Sequence, residues 1–180
     1  MEEQVALSNM NKPTRPACVG GVSKTELLAQ LHAAQVRLNP MALALFADDR
    51  FTTMASASTL EIAFATVEQL GLGTGAPFGR VVERAAAAGL SLCPLELGPH
   101  LRLQFTDQVE GSMGQPASQH CAPAGAVTIA SAPLCDDDET PKGFYLRRIG
   151  GALWLRGYRS WSGHVWSPAD VFVFAFDAKR

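Results

Sequence analysis

Long apolar runs are missing from this chain. No window approaches the roughly 18 consecutive apolar residues of a membrane-spanning helix, so no membrane partner is expected. The start, Met1-Glu2-Glu3-Gln4, is acidic, and no apolar stretch of about 7–15 residues follows it, which predicts no signal peptide. Charge is scarce. Asp, Glu, Lys and Arg make up 18% of the 180 residues, and wholesale disorder needs more charge and fewer apolar residues than the 47% found here. Neither sign dominates: 15 basic side chains face 17 acidic ones, for a net charge of −2. That balance excludes the bulk basic surface of a non-specific nucleic-acid binder. The four cysteines, Cys18, Cys93, Cys121 and Cys135, lack CxxC spacing. They read as reduced thiols of a cytoplasmic protein, the alternative being two disulfides.

Several chemical motifs are also lacking. There is no GxSxG elbow. Cys18-Val19-Gly20-Gly21-Val22-Ser23-Lys24-Thr25 misses the phosphate-binding loop, because Cys18 and Ser23 occupy the two glycine positions that let backbone amides cradle a phosphate. Gly71, Gly73 and Gly75 do not match a dinucleotide fingerprint and read as a connecting loop. The histidines His32, His100, His120 and His164 are far apart, and Asp136-Asp137-Asp138-Glu139 lacks the glycine and spacing of a calcium loop. No metal and no cofactor are therefore expected. The one thiol set that can be drawn is Cys93 with His100 or His120, oriented by Glu96 or Asp107. Cys93 lies in Leu92-Cys93-Pro94-Leu95, an apolar setting that favours a buried, inert thiol.

What is present points to one α+β domain over residues 23–177, preceded by a flexible tail, 1–22. Ser23 with Glu26 is a capping box, and Leu27, Leu31, Ala34 and Leu38 follow at helical spacing. Asn39-Pro40 starts a second short helix. Thr59 to Thr66 alternates as a strand, Pro77 to Ala88 is helical, and Leu101, Leu103 and Phe105 alternate as a further strand. Asp107 to Gly125 reads as a long polar loop of the kind that is often functional. Val127 to Ser131 is a brief strand. Phe144–Ile149 and Ala152–Tyr158 flank Gly150-Gly151, a two-residue hairpin turn, and Val171 to Phe176 adds another strand. The expected architecture is N-terminal helices packed on a mainly antiparallel sheet that ends in a three-strand meander.

The hairpin register follows from its turn: Ile149 opposite Ala152, Arg147 opposite Trp154, Tyr145 opposite Arg156. One face then carries Tyr145, Arg147, Ile149, Trp154, Arg156 and Tyr158; the other, with Phe144, Leu146, Arg148, Leu153 and Leu155, is the natural core face. Trp161, His164 and Trp166 follow in the next loop. On the first face, guanidinium groups and rings either stack on each other as structure or hold an anionic, planar or sugar-like ligand.

Two blocks carry a likeness: Leu92-Cys93-Pro94-Leu95-Glu96-Leu97-Gly98-Pro99-His100-Leu101-Arg102-Leu103-Gln104, and Lys142-Gly143-Phe144-Tyr145-Leu146-Arg147-Arg148 continuing through Trp154-Leu155-Arg156-Gly157-Tyr158-Arg159-Ser160. They resemble a group of short bacterial proteins of no established function, some of which carry a helicase label. The likeness runs from about Ser23 to Phe174 and implies no catalytic residues. Nor do the residues support that label, since the phosphate loop is broken and the chain is too short for paired nucleotide-binding domains. The leading expectation is a binding module for a small polar or anionic ligand. Its site would comprise Tyr145, Arg147, Trp154, Arg156, Tyr158, Trp161 and His164, with the Asp107–Gly125 loop. A small hydrolase- or transferase-like enzyme using His100, His120 or Glu96, and a protein-interaction partner, are the alternatives.

Overall fold

The computed structural model describes residues 14–111 and 122–176. Among them the chain forms four α-helices and a mixed sheet whose order is β1 (Thr14–Val19), β3 (Ser58–Thr66), β10 (Val171–Phe176), β6 (Val127–Ile129), β7 (Gly143–Ile149), β8 (Ala152–Tyr158) and β2 (Arg37–Leu38), with β5 (Leu90–Ser91) also paired to β10. A separate ribbon pairs β4 (Ala76–Pro77) with β9 (Val165–Trp166). No helix among the described residues is long and apolar enough to cross a membrane.

Local chemistry accounts for the first two helices. In α1 (Lys24–Ala33) the Ser23 hydroxyl accepts from the Glu26 amide at 3.2 Å, and the Glu26 carboxylate accepts from the Ser23 amide at 2.9 Å. Leu27 and Leu31, one turn apart, are fully buried. A two-residue strand, β2 (Arg37–Leu38), leads to α2 (Pro40–Ala47), where Asn39 caps the Ala42 amide and Pro40 takes the first turn. After β3 (Ser58–Thr66), α3 (Phe78–Ala87) buries Val81 and Ala85 and is followed by β5 (Leu90–Ser91).

Two expected elements are corrected. Leu101, Leu103 and Phe105 do not form a strand; they lie in or just after α4 (Leu97–Gln104). Leu97 and Leu101 are both fully buried one turn apart, and Pro99 falls in the first turn, where its missing N–H costs nothing. The helix is buried nearly all round, so no polar stripe marks its period. The segment read as a tail contains β1 (Thr14–Val19), antiparallel to β3. Its Pro16 is tolerated because β1 is an edge strand.

The C-terminal strands are β6 (Val127–Ile129), β7 (Gly143–Ile149), β8 (Ala152–Tyr158) and β10 (Val171–Phe176). The β7–β8 register is the one the turn dictates, with Gly150 and Gly151 at φ 57° and 76°. The expected run of β7, β8 and β10 as a meander does not form. β10 inserts between β3 and β6 and pairs with β6 in parallel, and β2 pairs with β8 in parallel, so the sheet is mixed.

The sheet is covered on both faces. On one, α1, α2 and α4 bury Phe46, Phe51 and Phe144 as a tilted cluster with ring centroids 5.5–5.9 Å apart. Leu146 and Leu155 share this core, as the core-face assignment expected. On the other, α3 and the β4–β9 ribbon pack on β3 and β10 through Val81, Ala85, Trp166, Phe172 and Phe174.

Candidate functional site

Pairing in the hairpin places Tyr145, Trp154 and Arg156 together. Arg156 Nε donates to the Tyr145 hydroxyl at 2.8 Å, and its guanidinium lies 5.1 Å from the Trp154 ring centre. Arg37, on β2, lies 5.6 Å from the same ring. The two guanidinium groups and the rings thus engage each other within the sheet. Arg147 is half-buried on the same face, next to Gly111.

The rings continue away from the hairpin. Tyr145 meets Tyr158 at 6.3 Å, Tyr158 meets Trp166 at 5.6 Å, Trp166 meets His164 at 5.0 Å, and His164 meets Trp161 at 5.2 Å. At the end of this run the surface opens into a cleft of about 800 Å3. Its walls are the N-terminus of α3 (Pro77 to Arg80), the loop after β6 with Ser131, Asp136 and Asp138, and the strand end carrying Tyr158 and Trp161. Of the expected ligand-binding residues, Tyr158 and Trp161 line this cleft and His164 props Trp161 from behind. Tyr145, Arg147, Trp154 and Arg156 stand back from it.

The loop after β6 is held by Lys142, whose ammonium donates to the Cys135 carbonyl at 3.1 Å and the Asp137 carbonyl at 2.9 Å. Asp137 closes the turn on itself, accepting from the Glu139 amide at 3.1 Å and the Thr140 hydroxyl at 3.2 Å. Asp136 and Asp138, on either side of it, border the cleft. In the lining, the Ser131 hydroxyl is buried with no hydrogen-bond partner. A Cβ built on Gly143 would sit 3.2 Å from that hydroxyl and 3.5 Å from the hydroxyl of Tyr158. Burial pushes the Tyr158 phenol up, so it stays protonated at neutral pH. In the sequence, 136–139 shows only as a run of carboxylates without calcium-loop spacing. The usable signal was the basic Lys142 one residue beyond Pro141, at the start of a strand.

The acid–base candidates are brought together and then committed elsewhere. Glu96 and His100 approach to 3.6 Å across one turn at the start of α4, both buried. His100 Nε2 accepts from the Gly20 amide at 3.1 Å, and Glu96 Oε1 accepts from the Met54 amide at 3.0 Å. Burial lowers the His100 pKa, although Glu96 pulls the other way. The imidazole lone pair that a base would use already holds the turn after β1. His120 lies outside the described residues, and no group of three or more His, Cys, Asp or Glu residues able to hold a metal occurs among those described.

The thiols differ sharply. Cys93 is buried, its Sγ 3.5 Å from the Val173 carbonyl, and burial pushes it up to about 12. Cys135 is half-exposed and held below the ordinary thiol range by the Thr140 hydroxyl, the Asp137 amide and the Arg50 guanidinium. Since thiolate is the reactive form, iodoacetamide at pH 7 should label Cys135 first and leave Cys93 untouched until the chain unfolds. Mass mapping of a Cys18→Ser, Cys121→Ser chain checks this; equal labelling of Cys93 and Cys135 would contradict it.

No family model matches the chain, and neither a curated protein nor a solved structure matches it.

Proposed function

We propose that this chain is a binding module for a small polar ligand, held in the cleft at the N-terminus of α3. The observation that carries this reading is a cleft of about 800 Å3 walled by the rings of Phe78, Tyr158 and Trp161. The volume falls within the roughly 300–1,000 Å3 of small-molecule sites, and the aromatic wall with a few polar groups is their usual lining. The stacked hairpin face supports the site from behind: the rings from Tyr145 to Trp166 form a rigid base for Tyr158.

The test is a thermal-shift screen of nucleotides, sugars, amino acids and phosphorylated metabolites against the full chain and its Trp161→Ala variant. A ligand at about 100 times its Kd adds roughly 2.7 kcal/mol, which for a chain of this size raises Tm by about 5–10 °C. At least one class should do so for the wild type and lose most of the effect in Trp161→Ala. Equal stabilisation of both chains, or of neither, would remove the cleft as the site.

A further inference from the structure

We propose that His100 is a proton-operated latch on the end of β1. With the ring neutral, its Nε2 accepts the Gly20 amide; with the ring protonated, the same nitrogen donates to Glu96 and lets Gly20 go.

The latch follows from how α4 lies along β1. Cys18 and Gly20 point alternate backbone amides away from β3 and toward α4. Among the described residues β1 is an edge strand, so no further strand takes these amides. Two side chains one helical turn apart take them instead. Gln104 Oε1 accepts from the Cys18 amide at 2.9 Å, and His100 Nε2 accepts from the Gly20 amide at 3.1 Å. The Gln104 amide does not titrate. A neutral imidazole offers a single lone pair, and a proton removes it.

The other partner is already in place. Glu96 Oε2 is buried and hydrogen-bonds nothing among the described residues, and it stands 3.6 Å from His100 Nε2. A carboxylate oxygen left unbonded in the interior is costly, and an imidazolium N–H is the donor it lacks. The second oxygen, Oε1, accepts from the Met54 amide at 3.0 Å, and the Met54 carbonyl accepts from the Gly21 amide at 2.8 Å. Glu96 therefore keeps its hold on the turn after β1 while His100 changes sides.

No other charge competes for the ring. On β1, Arg15 is paired with Asp107 and Cys18 is exposed. On α1, Lys24 donates to the Asp48 carbonyl, Glu26 is bound in the Ser23 cap and His32 is exposed. Beyond α2, Asp48 is paired with Arg50. On the hairpin, Arg148 is paired with Glu110, while Tyr145, Arg147, Arg156 and Tyr158 alternate onto the face away from α4. On α4 itself, Arg102 donates to Gln108. Burial, opposed only by Glu96, holds His100 below the ordinary histidine value, so the ring is neutral and latched at pH 7. The unfolded chain takes up the proton first, and the latched form loses stability as pH falls from about 6.5 through the lower folded value.

The test is an NMR titration of the full chain from about pH 7.5 to about 4.5, following the His100 ring and the Cys18 and Gly20 amides. The His100 midpoint is expected below about 6.5. Through it, the protection of the Gly20 amide from solvent exchange should fall at least about tenfold, and that of Cys18 less than about threefold. Glu96→Gln keeps an acceptor for Met54 and removes the charge that favours imidazolium, so the His100 midpoint should drop by about one unit or more. Constant Gly20 protection while His100 titrates, equal loss at Cys18 and Gly20 as in plain acid unfolding, or no titration of His100 in this range would each overturn the latch. So would an unmoved midpoint in the Glu96→Gln chain; if that variant does not fold, the wild-type titration decides by itself.

Discussion

Replacing Asn39 by alanine is expected to cost the fold about 3–5 kcal/mol, the sum of a lost helix cap and two stranded backbone groups. One buried side-chain amide does three things. Its Oδ1 accepts from the Ala42 amide at 2.9 Å and from the Gly157 amide at 2.8 Å, and its Nδ2 donates to the Gly157 carbonyl at 2.9 Å. The carboxamide thus pairs with Gly157 as a neighbouring strand would, while capping α2. Gly157 is the complement of this contact. A Cβ there would lie 2.6 Å from the Met41 carbonyl carbon and 2.8 Å from the Ala42 nitrogen, so α2 could not approach β8. Gly157→Ala should therefore lose at least about 3 kcal/mol. Asn39→Asp should fall between wild type and alanine, because it keeps the acceptor and loses the donor. Urea unfolding gives the numbers. A loss under about 1 kcal/mol for Asn39→Ala, within the range of a single ordinary hydrogen bond, would show that water reaches Gly157.

Arg102→Ala is the second large loss expected, again about 3–5 kcal/mol, from the cavity of a large buried side chain together with the acceptors it strands. Arg102 is fully buried, and among the described residues no carboxylate pairs with it. Burial first, and then the nearby Arg148, bring its guanidinium down to about 10, still charged at neutral pH. Neutral oxygens compensate. It donates to Gln108 Oε1 at 2.5 Å, to the carbonyls of Arg147 and Trp154 at 3.5 Å, and to the Phe105 carbonyl. Gln108 passes the connection on, donating to the carbonyls of Gly125 and Leu146 at 2.9 and 3.0 Å. Alanine would leave a cavity and unpaired acceptors together. Methionine would fill the space and remove a desolvated charge, so Arg102→Met should lose less than half as much. Equal losses for the two variants would mean that the hydrogen bonds, not the packing, decide the cost.

The parts of the fold legible in the sequence are those decided by near neighbours. Ser23 and Glu26 fix α1 from three residues apart, and Gly150-Gly151 set a register that carries Tyr145 onto Arg156. Alternation misled where burial was complete. Leu101, Leu103 and Phe105 mimic a strand, whereas α4 is fixed by the close approach of Gly98 to Phe144, where a Cβ would be 2.7 Å away. β1 was illegible because its support comes from far along the chain. The Gln104 amide accepts from the Cys18 N–H at 2.9 Å and donates to the Cys18 carbonyl at 2.8 Å, 86 residues away. The placement of β10 between β3 and β6 has the same origin, a choice among distant edges that no local pattern encodes. Of the candidate site, Tyr158 and Trp161 were visible as aromatics. Ser131, Asp136 and Asp138 were not, because what turns that loop toward the cleft is the reach of Lys142 across it.

Asn39 also has a chemical future set by its successor. Asparagine side chains age by deamidation through a cyclic imide, which forms when the next residue's backbone nitrogen attacks the side-chain carbonyl and sheds its own proton. The next residue is Pro40, whose ring nitrogen has no proton to lose. The amide that joins α2 to β8 is therefore closed to the commonest route of asparagine decay, and this joint should outlast the usual chemical wear of a protein surface.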